Sequence, residues 1–406
     1  LRLNSREQIL ILWQLSDSRK LHNFQYQSQE HAMRTTISLI KADVGSIGGH
    51  VAPSAELMES VRGTITDEIG GLLHDAFVTA TGDDIGILMT HDHGAGNSDV
   101  HQLAWSTFKT ATDVAKRQGL YGAGQDLLVD AFSGNVRGMG PGVAELEFTE
   151  RPNEPFLMFM ADKTEPGAFN LPLYLAFADP TNTAGLILSS DISEGFRYRI
   201  MDVNYTEGDR VIELSAPEEL YQIAALLRDN DRYVVESIFS RHDGEQAVAV
   251  STTRLHNIAG TYTGKDDPVY LCRVQKGFPA TGEILAPYAI APYVNGYMRG
   301  SHVGPLMPVK ARTQCSYFDG PPIVSALGFC VHNGKLTEPV DLFDHPYWDY
   351  VRNRAAEKAT EIRRQGFSGA AMLPYSELEY GGIVKILDEL DHRFKIRESA
   401  KVVATV

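Results

Sequence analysis

Cysteine is scarce, with three residues at positions 272, 315 and 330 in a chain of 406, an odd count without CxxC spacing. That excludes a disulfide framework and a structural zinc site, and it fits a reducing cytoplasm. Basic runs are missing as well. The 37 Lys and Arg stand against 52 Asp and Glu, for a formal net charge of -15, a field that repels a nucleic-acid backbone. Apolar runs fall well short of the roughly 20 residues that cross a bilayer, and residues 1–32 lack the basic start, apolar centre and small-residue cleavage site of an export signal. No internal repeat, low-complexity tract or Pro/Ser-rich linker divides the chain. Neither nucleic acid nor membrane is an expected partner, and one compact α/β unit is expected in place of separate domains.

What the chain has is 43% hydrophobic and 22% charged residues, enough apolar material for a large core. An acidic protein still binds phosphorylated small molecules when divalent cations stand between its carboxylates and the phosphate oxygens. Residues 1–32 read as a polar N-terminal extension outside the core. β-branched alternation predicts a strand from Thr35 to Ile40, and Leu57, Val61, Ile65, Ile69 and Leu73, four apart, predict a helix after His50. Strand pieces follow at Phe77–Ala80 and Ile85–Thr90, then a helix at about Asp99–Gln118 with Gly119 as its stop. Beyond a glycine-rich stretch at 121–142 the pattern turns to strands, at 143–148, 156–160, 196–203, 211–214, 233–239, 247–252, 269–274 and 323–331. Ser215, Pro217 and Glu218 predict a helix start inside this run. Helices close the chain at about 347–364 and 377–393.

Several apolar strands end on acid: Asp43, Asp83 with Asp84, and Asp162. A single such Asp is commonly a turn or helix cap. Carboxylates delivered from several strand ends to one sheet edge form an oxygen-rich site that suits Mg2+ over softer metals. His50, across a glycine-rich connection from Asp43, reads as a further ligand, a phosphate contact or an ordinary loop residue. His91 and His93 form a rival pair on one side of a strand, next to an exposed loop. Tyr262, Lys265, Asp266 and Asp267 put a nucleophile beside two acids. A Schiff-base lysine reacts as the neutral amine, which ionised acids oppose and bound cations favour. The same segment also reads as a solvated charged turn punctuated by Gly264 and Pro268. Ser133–Gly138 with Arg137, and Arg299–His302, are two candidate phosphate loops of low specificity.

Eight segments together carry a family resemblance: KADVGSIGGH (41–50), TGDD (81–84), GQDLL (124–128), FSGNVRG (132–138), MADKTEPGAFNLP (160–172), GKDDP (264–268), MRGSH (298–302) and FDGPP (318–322). In this order they resemble the bifunctional, archaeal-type fructose-1,6-bisphosphate aldolase/phosphatases over about residues 33–394. The resemblance implies a layered α-β-β-α sandwich assembled as a homo-octamer, a catalytic unit at 33–394 and a tail at 395–406. It also implies gluconeogenic condensation of dihydroxyacetone phosphate with glyceraldehyde 3-phosphate, followed by Mg2+-dependent hydrolysis of the C1 phosphate to fructose 6-phosphate. The alternative is a Mg2+-dependent sugar phosphatase in which Lys265 only contacts phosphate.

Carried over by position, Lys265 becomes the Schiff-base lysine and Tyr262 the proton donor and acceptor. Asp43, His50, Asp83, Asp84, Gln125, Asp162, Asp266 and Asp267 match a shell for several Mg2+ ions. The sugar and triose phosphates would be held by His50, Asp84, Tyr121, Gln125, Ser133, Gly134, Asp162, Lys163, Gln275, Arg299, Asp319 and Tyr380. Gly260 and Gly264 read as hinges between the two reactions. This chain departs from the pattern in its first 32 residues, in Gly381 where a hydroxyl residue is expected, and in a shorter loop at 91–99.

Overall fold

The computed structural model describes residues 33–127, 140–205, 208–254, 266–296, 302–316, 321–364 and 382–397. Its first half runs β1 (Arg34–Ala42), α1 (Ala55–Thr66), β2 (Asp75–Thr81), β3 (Asp84–His91), α2 (Ser98–Gln118), β4 (Gly142–Thr149), β5 (Glu154–Asp162), α3 (Asn170–Ala178) and α4 (Gly185–Leu188). Next come β6 (Phe196–Asp202), β7 (Asp209–Ser215), α5 (Leu220–Leu227), β8 (Tyr233–Ser240), β9 (Gln246–Val250), β10 (Thr253–Arg254) and β11 (Val269–Arg273). The chain continues through α6 (Thr281–Leu285), β12 (Tyr293–Gly296), β13 (His302–Pro305), β14 (Met307–Pro308) and β15 (Ile323–His332). Then follow β16 (Lys335–Leu336), β17 (Val340–Asp341), α7 (Tyr347–Arg364), α8 (Gly382–Asp391) and β18 (Lys395–Arg397).

A five-stranded antiparallel sheet, in order β10-β4-β1-β3-β2, faces an eleven-stranded sheet whose central strands are β15, β5, β11 and β9. Strand parity builds the layers, because alternate side chains point to opposite faces. Ile37 and Leu39 of β1 meet Phe156, Met158 and Met160 of β5 between the sheets. Ile40 and Ala42 face α1 and α2, where Leu57, Val61, Phe108 and Ala111 cover them. Leu157, Phe159 and Ala161 of β5 face α3, α5 and α7 on the far side. The α-β-β-α layering expected from the resemblance follows from these three apolar seams.

Local differences from the sequence reading have physical causes. The first helix stops at Thr66, where Asp67 caps it. Ile69 and Leu73 keep the apolar period but sit in a turn, since Gly70 takes φ +89°. Ser215 is the last residue of β7 and not a helix cap. α5 begins at Leu220 with Glu219 at its cap position, where the carboxylate makes no bond to the helix and accepts from the upstream Ser215 N–H at 2.8 Å. The second helix runs as expected, between an Asn97 side-chain cap and Gly119 in the left-handed region at φ 65°. β18 pairs with β7, so the large sheet extends past residue 394.

Candidate active site

The same parity that buries Ile37, Leu39 and Leu88 between the sheets turns Lys41 and Asp84 inward, and it does the same for Asp162 at the end of β5. Charged groups in such a seam must find partners or cations. Lys41, fully buried, pairs with Asp84 Oδ2. Lys163 Nζ bridges Asp83 Oδ1 at 2.6 Å and Asp162 Oδ1 at 2.8 Å. His50 Nδ1 lies 3.0 Å from Asp83 Oδ2 and 3.8 Å from Asp43 Oδ2. Thr164 N–H donates to Asp267 Oδ1 at 2.7 Å, and Asp267 N–H returns to the Thr164 carbonyl at 3.1 Å.

Three donor groups result, each with its ligand atoms within 4.8 Å of one another: Asp43, His50 and Asp83; Asp83, Asp162 and Cys315; Asp84, Asp162 and Asp267. Among the described residues, Lys41 and Lys163 are the lysines bonded to this group, so its five carboxylates outnumber them. Burial pushes Asp43 and Asp162 well above the ordinary carboxylate range, and the neighbouring aspartates push further. At Asp83 burial is opposed and outweighed by Lys163 and His50, which hold that carboxyl well below the usual range. An oxygen-rich set with surplus negative charge fits a hard divalent cation.

The backbone is shaped to make this convergence. Gly82 turns the β2–β3 hairpin at φ +58°, and a β-carbon there would stand 1.5 Å from Asp162 Oδ2. Only glycine lets the turn carrying Asp83 and Asp84 come so close. His50, Lys163 and Asp267 all adopt positive φ, of 60°, 64° and 54°. Such conformations are disfavoured for these residues and gather at functional sites.

Of the other residues singled out by sequence, Tyr121 is brought to the cluster, its ring edge-on to His50 at 4.9 Å. Gln125 opens a short 3-10 turn tied to the Asp43 segment by the bonds from Gly124 N to Val44 O and from Asp126 N to Asp43 O. Asp266 adjoins Asp267 and is half-buried. Gln275 is not brought in. It follows β11 whereas Asp267 precedes it, so the length of the strand separates the two, and the Gln275 carbonyl accepts from Arg151 at 2.9 Å. His91 and His93 stack at 5.7 Å at the far end of β3 from Asp84. Ser133, Gly134, Arg137, Gly260, Tyr262, Gly264, Lys265, Arg299, Asp319, Tyr380 and Gly381 lie outside the described residues.

Three residues of the site escaped sequence reasoning. Lys41 stands out locally only as a charge near the end of an apolar strand, and its partner Asp84 lies 43 residues away. Asp126 is buried and accepts from the Asp43 and Gly140 N–H groups at 2.9 and 3.1 Å, fixing the backbone around Asp43. Cys315 arrives from 153 residues beyond Asp162, and nothing in its local sequence marks it.

The family described as fructose-1,6-bisphosphatase matches residues 34–395. The chain is 58% identical over 362 residues to the fructose-1,6-bisphosphate aldolase/phosphatase of Thermus thermophilus, covering 89% of this chain and 100% of that protein. Proteins of the same name from Ignicoccus hospitalis and Methanothermobacter marburgensis are 51% and 49% identical, over 90% and 89% of this chain and 94% and 99% of theirs. With identity at this level running the length of the relatives, the chain belongs to the fructose-1,6-bisphosphate aldolase/phosphatase family.

Proposed function

We propose that this chain condenses dihydroxyacetone phosphate with glyceraldehyde 3-phosphate through a Schiff base on Lys265, then hydrolyses the C1 phosphate of the product at the same Mg2+-dependent site. The observation that carries this reading is the meeting of buried Asp43, Asp83, Asp84 and Asp162 with half-buried His50 and Asp267 from both sheets, in a chain with these relatives. Residues 33–394 form the catalytic unit, working in the cytoplasm as a homo-octamer in gluconeogenesis.

Bound Mg2+ supplies positive charge against phosphate oxygens and a water acidic enough to attack phosphorus. Asp43, His50, Asp83, Asp84, Gln125, Asp162, Asp266 and Asp267 hold the ions. Lys163, already between Asp83 and Asp162, is placed to exchange those oxygens for a substrate phosphate. Tyr121, Ser133, Gly134, Arg299, Asp319 and Tyr380 complete the substrate contacts.

In the aldol half, the neutral Lys265 amine attacks C2 of the ketose phosphate and water leaves. Tyr262 removes a C3 proton, and the enamine attacks the aldehyde. Hydrolysis returns the free lysine. Borohydride added with dihydroxyacetone phosphate and Mg2+ is expected to label Lys265, and Lys265→Ala to lose both label and condensation. An unlabelled wild type removes the aldolase half. Absence of phosphate release from fructose 1,6-bisphosphate at every magnesium concentration removes the phosphatase half.

A further inference from the structure

The two lysines of the site are held differently. Lys163 follows the end of β5 with its side chain 11% exposed, whereas that of Lys41, inside β1, is 0% exposed. Strand register shows how a lysine fits there. Lys41 is paired with Gly86 of β3 on one side and with Gly142 of β4 on the other, so neither lateral neighbour carries a side chain. A β-carbon at Gly86 would stand 2.6 Å from Met160 Sδ, so the seam admits none at that point. Asp84 lies two residues before Gly86 on the same strand face, the diagonal position that a long side chain reaches. Lys41 Nζ bonds its Oδ2. An ammonium enclosed in this way cannot turn to water, and parting it from its carboxylate would strand a charge between the sheets. That same carboxylate belongs to the donor group of Asp84, Asp162 and Asp267.

We propose that Lys41 is a permanent counter-ion: it stays bonded to Asp84 when a divalent cation occupies the acid cluster, and its charge limits how tightly that cation is held. The inference rests on the cluster being the divalent-cation site. Lys41 is a positioning residue, acting on the ion through Asp84, which it holds in one orientation. A fixed positive charge beside a ligand carboxylate opposes the ion at short range. Lys163 is then the lysine that yields its carboxylates to the ion and the substrate.

The sign of the effect separates this role from a purely structural one. Lys41→Met keeps an unbranched apolar stem and removes the charge. Calorimetric titration of the full chain is expected to show Mg2+ bound at least about tenfold more tightly by Lys41→Met than by the wild type. The same variant should melt at a lower temperature in chelator, because Asp84 has lost its partner. Lys41→Met/Asp84→Asn, which removes both charges, should recover stability in chelator. Unchanged or weaker Mg2+ binding by Lys41→Met overturns the proposal. Should Lys41→Met fail to fold, a wild-type crystal loaded with Mn2+, located by its anomalous scattering, decides the matter. Lys41 Nζ within hydrogen-bond distance of Asp84 supports the counter-ion, and a withdrawn Nζ overturns it. A wild type that neither binds Mg2+ nor releases phosphate sinks the functional reading and this inference with it. A wild type that does both, beside a Lys41→Met of unaltered affinity, sinks the counter-ion alone.

Discussion

Glu154 and Asp162 stand at opposite ends of β5, both fully buried, in opposite electrostatic surroundings. Arg151 grips both oxygens of Glu154 at 2.7 and 3.0 Å, and Arg273 grips both at 3.0 Å. Arg273 also reaches Glu245 at 2.8 Å. Burial alone would raise the Glu154 pKa, but the hydrogen bonds from Arg273 and Arg151 outweigh it and hold the group below its ordinary value. At Asp162 burial raises the pKa, Lys163 opposes the rise, and Asp83, Asp84 and Asp267 add to it. Matched guanidinium–carboxylate charge makes a fixed structural joint. Surplus carboxylate makes a place for a cation.

Breaking the joint should have the largest effect. Glu154→Gln leaves two arginines facing a neutral amide, one of them buried, and is expected to cost about 3–5 kcal/mol in denaturant unfolding. The Mg2+ requirement for phosphate release should stay as it is in the wild type. A stability loss under about 1 kcal/mol would mean that the far end is no more than a solvated surface pair.

Asp162→Asn should do the reverse. Phosphate release is expected to fall about 10²–10³-fold. The thermal stabilisation conferred by Mg2+, about 2.7 kcal/mol at a hundredfold excess over its dissociation constant, should disappear, while stability in chelator changes little. Retained Mg2+ stabilisation in this variant would move the ion away from β5.

His91 sharpens the contrast on β3, whose site end carries Asp84. It is fully buried at the far end against Ser38 Oγ at 2.9 Å, with His93, His101, Asp92 and Glu145 around it, and burial pushes its pKa down to about 4. The folded chain therefore keeps this ring neutral while the unfolded chain protonates it near pH 6.5. Stability from this group is complete above pH 6.5 and falls between there and pH 4, by roughly 2 kcal/mol at pH 5. Urea midpoints at pH 7 and pH 5 should converge less in the wild type than in His91→Gln. Equal pH sensitivity in the two would show that the ring is protonated in the fold.

The strand-end acids were legible because period-2 apolar runs announce strands and Asp interrupts them visibly. That same logic carried β1, β3 and β5 and their inner faces. α3 was not legible: the run Asn170–Ala178 is apolar on all sides and its start at Phe169 has no side-chain cap, so neither amphipathic period nor capping residue signals a helix. Lys41 and Cys315 were missed for a different reason. Their meaning comes from partners 43 and 153 residues away, and a local window cannot see which strands become neighbours.

Asp43, Asp83 and Asp84 ride on one sheet, and Asp162 and Asp267 on the other, so the site crosses the seam between them. Sequence distance turns that placement into timing. The β2–β3 hairpin closes locally, yet Thr81 meets Ser325 at 2.6 Å only after 244 further residues have been made. A nascent chain thus exposes half of a ligand set long before the rest emerges from the ribosome. A cation held there would be a clasp that fastens once both halves of the sandwich are present, and its grip would report completed assembly.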